Sequence, residues 1–339
     1  MTRICMLVVW MGKFPNTFDL WKQSVFHNPT VDFYIVTDNE GLTDEANLHF
    51  VYMTLPEAKK RFQALLEFPI TLETPYKICD YKPLMGEAFA DITANYELWG
   101  HMDLDLILGD IRGFLSEDIL QKYDKFFEAG CFILYRNCEG MRNFYKRSIE
   151  KTNMAYSYKH VFRCKYACYF DEYMGMNILD WQYPVKVLRD QTEENIVQDF
   201  RWQNLEFRSN ITNDTFVFQW KDGKLWRYLC DENGRLTGEA PKEYMLVHIQ
   251  KRDMRIEFSL KRFLERREFW IVPNRFQLEK PQTELYGKKD RQAYEKKIRH
   301  KDWKRSFQNL KQFGIAQYVP HFIRSRRIRK WILKEKGFF

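Results

Sequence analysis

The chain has 339 residues, 45% hydrophobic and 17% aromatic, enough to bury a full core in one large domain or two unequal parts, and this excludes wholesale disorder. No run approaches the roughly 18 consecutive apolar residues of a spanning helix, and the seven cysteines, odd in number and scattered, point to free thiols in a reducing compartment. The net charge of +8 is uneven: residues 288–339 hold 17 Lys/Arg against 4 Asp/Glu, so the remainder is mildly acidic and the tail strongly basic.

In chain order, Arg3 to Trp10 is a continuous apolar run of strand length, broken at Gly12 to Pro15. Phe18 to Phe26 has helical apolar spacing. Val31 to Thr37 and Leu48 to Met53 read as further strands, and Leu55 to Phe68 as a helix with Pro56 in its first turn. This alternation predicts βαβ units and a largely parallel sheet, whose ligands lie beyond the carboxyl ends of the strands. Two prolines divide Thr74 to Gly86 into a helical turn from Pro75 and a second helix from Pro83 to about Ile92. Lys77, Asp80 and Lys82 then sit at a helix start, suited to anion contacts.

Asp103 and Asp105 stand one residue apart where an apolar strand ends. Buried strands normally exclude charge, so a pair of carboxylates there calls for compensation, and a shared divalent cation with phosphate supplies it. Further on, a helix is expected over Asn137 to Lys151, and a second acidic pair, Asp171 and Glu172, precedes an apolar run. Phe216 to Trp220 and Leu225 to Leu229 flank Asp222-Gly223, a hairpin signal. Tyr244 to Val247 leads into His248, with Lys251 and Arg252 close behind. If His248 reaches the cation held by the Asp pair, these two cations come within reach of its phosphates. In the tail, Ile328, Trp331 and Ile332 make an apolar stripe amid Arg324, Arg326, Arg327, Arg329 and Lys330. That pattern fits either an anionic membrane surface or a helical cap on the domain.

The strand-terminal Asp-x-Asp, the Phe-Asp-Glu segment and the His-x-Gln-Lys at another strand end resemble the GT-A class of nucleotide-sugar glycosyltransferases. Within it, the Tyr-Lys-x-x-Asp-x-Lys-Pro stretch from Tyr76 and the Trp-Gly-x-x-Asp-x-Asp stretch from Trp99 resemble a poorly characterised bacterial family associated with surface-polysaccharide synthesis. The resemblance spans about residues 3–252. It implies a GT-A-like, Rossmann-type mixed but mostly parallel sheet flanked by helices, with a smaller β-hairpin region and a basic helical tail. Residues 1–255 would form the catalytic domain, split into a nucleotide-binding half (1–110) and an acceptor half (111–255, hairpin insertion about 200–240), and 256–339 the extension.

By the same resemblance Asp103, Asp105 and His248 would hold Mn²⁺ or Mg²⁺ against the diphosphate of a nucleoside-diphosphate sugar, UDP-linked by preference. Thr37 and Asp38 would meet base and ribose, and Lys77, Asp80, Lys82 and Lys251 nucleotide or phosphate. Asp171 and Glu172 would lie near the transferred sugar and a glycan or lipid-linked glycan acceptor. The expected setting is cytoplasmic, with the tail at the inner face of the membrane and no nucleic-acid partner. Two other readings were open to such a sequence: a haloacid-dehalogenase-like phosphatase using Asp103 and Asp105, whose family pattern puts the pair on the first strand, and a non-enzymatic carbohydrate-binding protein, which leaves the carboxylates unexplained.

Overall fold

The computed structural model describes residues 1–150, 155–189, 203–209, 212–250 and 252–336. It is a mixed α/β fold. The strands of its first half are β1 (Ile4–Trp10), β2 (Val31–Thr37), β3 (Leu48–Tyr52), β4 (Leu98–Met102), β5 (Leu106–Leu108), β6 (Lys125–Phe126), β7 (Phe132–Arg136) and β8 (Val187–Leu188). Seven of them form the main sheet in the order β3-β2-β1-β4-β7-β6-β8. The first four are mutually parallel, β7 runs antiparallel to β4 and β6, and β8 is parallel to β6, so the sheet is mixed and mostly parallel as expected.

The continuous apolar run of β1 has a direct cause. Cys5, Leu7 and Val9 enter one core, with Tyr81, Trp99 and Tyr135, while Ile4, Met6 and Val8 enter another, with Trp21, Phe33 and Leu106. A strand covered on both faces needs apolar residues at every position.

Helix Phe18–Phe26 falls where its spacing put it. Helix Leu55–Gln63, opened by a capping box between Thr54 and Glu57, stops short of Phe68. There the Gln63 amide donates to the Leu66 and Phe68 carbonyls and accepts from Ile70 N, holding a turn in place of further helix. The two-proline segment is one 3-10 helix, Pro75–Leu84, followed by short helices Met85–Ala88 and Ala90–Thr93. The helix expected over Asn137 to Lys151 is only Glu139–Arg142 and a 3-10 turn Phe144–Lys146, because Tyr145 and Lys146 both turn to Glu87.

The second half contributes β9 (Phe207–Arg208), β10 (Thr215–Lys221), β11 (Lys224–Cys230), β12 (Lys242–Tyr244), β13 (Leu246–His248), β14 (Arg255–Ile256), β15 (Glu268–Val272) and β16 (Arg275–Gln277). The predicted hairpin is β10–β11, turned by Asp222 and Gly223 at φ of 47° and 85°. It is the centre of a seven-stranded sheet, β12-β11-β10-β15-β16-β14 with β9 also on β10, which continues past residue 255 to Gln277. Long-range pairing of β10 with β15 leaves no local signal, so the sequence shows only the hairpin. Trp220 Nε1 donates to the Leu108 carbonyl at 2.9 Å, tying this sheet to β5.

Two helices, Lys288–Phe313 and Ile315–Lys336, close the chain, hinged at Gly314. Ile328 and Trp331 of the second helix's apolar stripe pack on the domain, and the side chain of Ile332 lies outside the described residues. Ile328 is fully buried in the core that holds Trp99, Trp331 lies 6.3 Å from Trp181, and the Tyr173 and Tyr156 hydroxyls meet Ser325 and His321 at 3.1 and 3.2 Å. At Ile328 and Trp331 the helix caps the domain. Among the described residues no helix is long and apolar enough to cross a membrane.

Candidate metal centre and the carboxylates around it

Because β1, β2 and β4 are parallel, their carboxyl ends open on one edge of the sheet, where open α/β sheets take ligands. Asp103, Leu104 and Asp105 link β4 to β5. Leu104 is buried, which leaves the flanking carboxylates partly exposed.

β5 pairs antiparallel with β13, with Leu106 opposite His248, and Ile249 N donates to the Asp105 carbonyl at 2.8 Å. That register carries the imidazole to the carboxylate, His248 Nε2 lying 3.2 Å from Asp105 Oδ1. Donor atoms of Asp103, Asp105 and His248 all lie within 4.8 Å of one another. Two carboxylate oxygens and an imidazole nitrogen, partly exposed, fit a divalent cation that keeps other positions for phosphate or water, and the nitrogen suits Mn²⁺ at least as well as Mg²⁺. Burial alone would lower the His248 pKa, but the Asp105 carboxylate and the Cys131 thiol outweigh it and carry it well above the ordinary value.

Lys82 joins this centre to the second acidic pair. Its buried ammonium donates to Asp103 Oδ1 and the Gly130 carbonyl, both at 2.7 Å, and stands 3.4 Å from Asp171 Oδ2. Burial pushes the Asp171 carboxyl well above its usual range, Lys82 opposes this, and Glu172, Asp80 and Asp103 add to it. Glu172 is the less buried of the pair and accepts from Gly130 N at 3.0 Å.

Gly130 is the floor on which both carboxylates rest: a Cβ there would fall 2.5 Å from Asp171 Oδ2 and 2.9 Å from Glu172 Oε1. Gly130→Ala is expected to cost about 1–3 kcal/mol of stability, as overpacking does. Urea denaturation of the two proteins measures it, and equal midpoints would contradict the packing described.

Lys77 and Asp80 have another task than the expected ligand contacts. Both are buried; Lys77 Nζ bonds Asp80 at 2.6 Å and the carbonyls of Val161 and Tyr166, and Asp80 accepts from Cys168 N and Phe170 N. They fasten the loop bearing Asp171 and Glu172 to the 3-10 helix. Cys79, Asp80 and Asp171 also bring donor atoms within 4.8 Å of one another, but Lys77 and Lys82 already compensate these charges.

Thr37 and Asp38 do end β2. The Thr37 hydroxyl accepts from Asn39, and Asp38 takes Gly12 N at 2.7 Å, bracing the loop after β1. A cleft lined by Thr37, Asn39, Leu42, Phe50 and Tyr52 opens beside them. Arg252 is buried, stacked on Phe207 and bonded to the Ile249 and Glu206 carbonyls, so it does not serve the phosphate contacts expected of it. Lys251 lies outside the described residues. Gly130 and Cys131 escaped the sequence reading; the only mark of them is the break between two short apolar runs.

The model of a family of unknown function, DUF6625, matches residues 6–280. The chain belongs to this family. The DUF6625 match takes in both sheets and ends before the helix that begins at Lys288. No curated protein matches this DUF6625 chain. Among solved structures it is similar to the galactosyltransferase LgtC in complex with donor and acceptor sugar analogs, with TM-score 0.34 and 11% identity over 55% of this chain and 72% of that one. It is also similar to the glycosyltransferase GlyE of Streptococcus pneumoniae TIGR4, with TM-score 0.31 and 10% identity over 56% of this chain and 46% of that one.

Proposed function

We propose that this DUF6625 chain is a divalent-metal-dependent glycosyltransferase. It moves a sugar from a nucleoside-diphosphate sugar, UDP-linked by preference, to a glycan or lipid-linked glycan acceptor in bacterial surface-polysaccharide synthesis. One observation carries the reading: Asp103, Asp105 and His248 converge at the carboxyl edge of the parallel strands, with Lys82 linking them to Asp171. The pair follows β4 and not β1, which argues against the phosphatase pattern.

Asp103, Asp105 and His248 would hold Mn²⁺ or Mg²⁺, whose chemistry at this place is charge stabilisation of the departing diphosphate. Lys82 fixes the Asp103 carboxylate and neutralises Asp171. Glu172, held by Gly130 N, is the better exposed candidate to contact the acceptor or transferred sugar, and Asp171 stands beside it against Lys82. The cleft beside Thr37 suits the base and ribose.

A thermal-stability panel of nucleoside diphosphates, with and without Mn²⁺, tests the reading. At a ligand concentration 100 times its Kd, binding adds about 2.7 kcal/mol. The expected result is stabilisation by one nucleoside diphosphate only when the metal is present. Stabilisation by none of them, or equal stabilisation in chelator, would overturn it.

A further inference from the structure

The two C-terminal helices bury one face and leave apolar side chains on the other. Tyr294 and Ile298 of the first helix pack on Leu205 and Tyr286, and His321 and Ile328 of the second are buried against the domain. Trp303 and Phe307, one turn apart and away from Tyr294 and Ile298, stack at 5.9 Å yet are 66% and 58% exposed. On the second helix Ile315 is 72% exposed and Ile323 45%, with Val319 and Phe322 also open. Single exposed apolar residues are ordinary; six on two consecutive basic helices call for an occupant.

Charge and side-chain type select that occupant. The exposed cations Lys296, Arg299, Lys304, Lys311, Arg326 and Arg327 lie on the same two helices, and such cations attract an anionic surface. Nucleic acid would use the aromatics for stacking but has no use for Ile315, Val319 and Ile323, whereas the headgroup–acyl boundary of a bilayer takes Trp, Phe and aliphatic side chains together.

We propose that the outward face of helices 288–313 and 315–336, centred on Trp303, Phe307, Ile315 and Ile323, docks the protein on anionic lipid bilayers. This surface is distinct from the face that packs on the domain through Ile328 and Trp331. It requires nothing of the metal centre, so the two readings fail separately.

The test is flotation of the full chain with vesicles of mixed phosphatidylglycerol and phosphatidylcholine, and of phosphatidylcholine alone. The native protein floats with the anionic vesicles and not with the neutral ones. Two variants remove apolar contacts, Trp303→Ser with Phe307→Ser and Ile315→Ser with Ile323→Ser; a third, Lys304→Glu with Lys311→Glu, reverses charge. Each is expected to bind about tenfold or more weakly, with an unchanged melting temperature because the sites are exposed. The proposal is overturned if the variants float like the native protein, or if the native protein ignores anionic vesicles. It is also overturned if duplex or single-stranded RNA displaces the vesicles, or if sedimentation shows a dimer that Trp303→Ser dissociates.

Discussion

Lys82→Met lowers stability by about 3–5 kcal/mol at pH 8, the cost of leaving a buried charge without its partner, and the loss shrinks as the pH falls. Asp171 is the reason. Its carboxyl is buried and its pKa already stands well above the usual range, with Lys82 the cation beside it and Glu172, Asp80 and Asp103 the like charges around it. A folded-state pKa above the unfolded one means that the folded protein takes the proton more readily, so the penalty for the charged form is present above that raised pKa and absent below the unfolded one. Without Lys82 the pKa rises further, so the deficit relative to the native protein opens above the native pKa and widens until the pH passes that of the variant. Urea denaturation of both proteins at pH 8 and pH 5 measures it. A loss below about 1 kcal/mol at pH 8, or one that grows on acidification, would show that Lys82 does not compensate this charge.

Asp103→Ala and Asp105→Ala each weaken Mn²⁺ binding by about 100-fold or more, and His248→Ala does so by about 10- to 100-fold, because each removes a donor from a set of three. The fold survives all three. Asp103 and Asp105 are partly exposed, and Lys82 keeps the Gly130 carbonyl and Asp171 when Asp103 is lost. Melting temperatures therefore stay close to that of the native protein while metal-dependent nucleotide binding disappears. An Asp105→Ala protein with native metal affinity would move the cation elsewhere.

The local part of this structure was legible from residue order. The apolar runs Arg3 to Trp10 and Val31 to Thr37 became β1 and β2, helix Phe18–Phe26 followed from its spacing, and two carboxylates in an apolar context marked the edge of the sheet. His248 was also within reach, since a strand-terminal imidazole and the Asp pair suggested each other; only the β5–β13 register shows how they meet.

What stayed hidden depends on contacts distant in sequence. Lys77, Lys82 and Asp80 look alike as a polar cluster, but burial gives them different work: Lys77 and Asp80 brace a loop some 88 residues away, and Lys82 spans two carboxylates. The tail stayed open between two readings for the same reason. An amphipathic pattern announces an apolar face without saying what covers it, and Ile328 is covered by the core while Trp303 is not.

Calorimetric titration of the native chain with Mn²⁺, repeated in the presence of UDP and with the Asp105→Ala protein, decides whether Asp103, Asp105 and His248 hold a metal that in turn holds the nucleotide. The expected result is one Mn²⁺ per chain, mutual tightening of metal and nucleotide by the same factor, and loss of both in the variant. Binding of UDP that ignores Mn²⁺, or Mn²⁺ binding that survives Asp105→Ala unchanged, would contradict it.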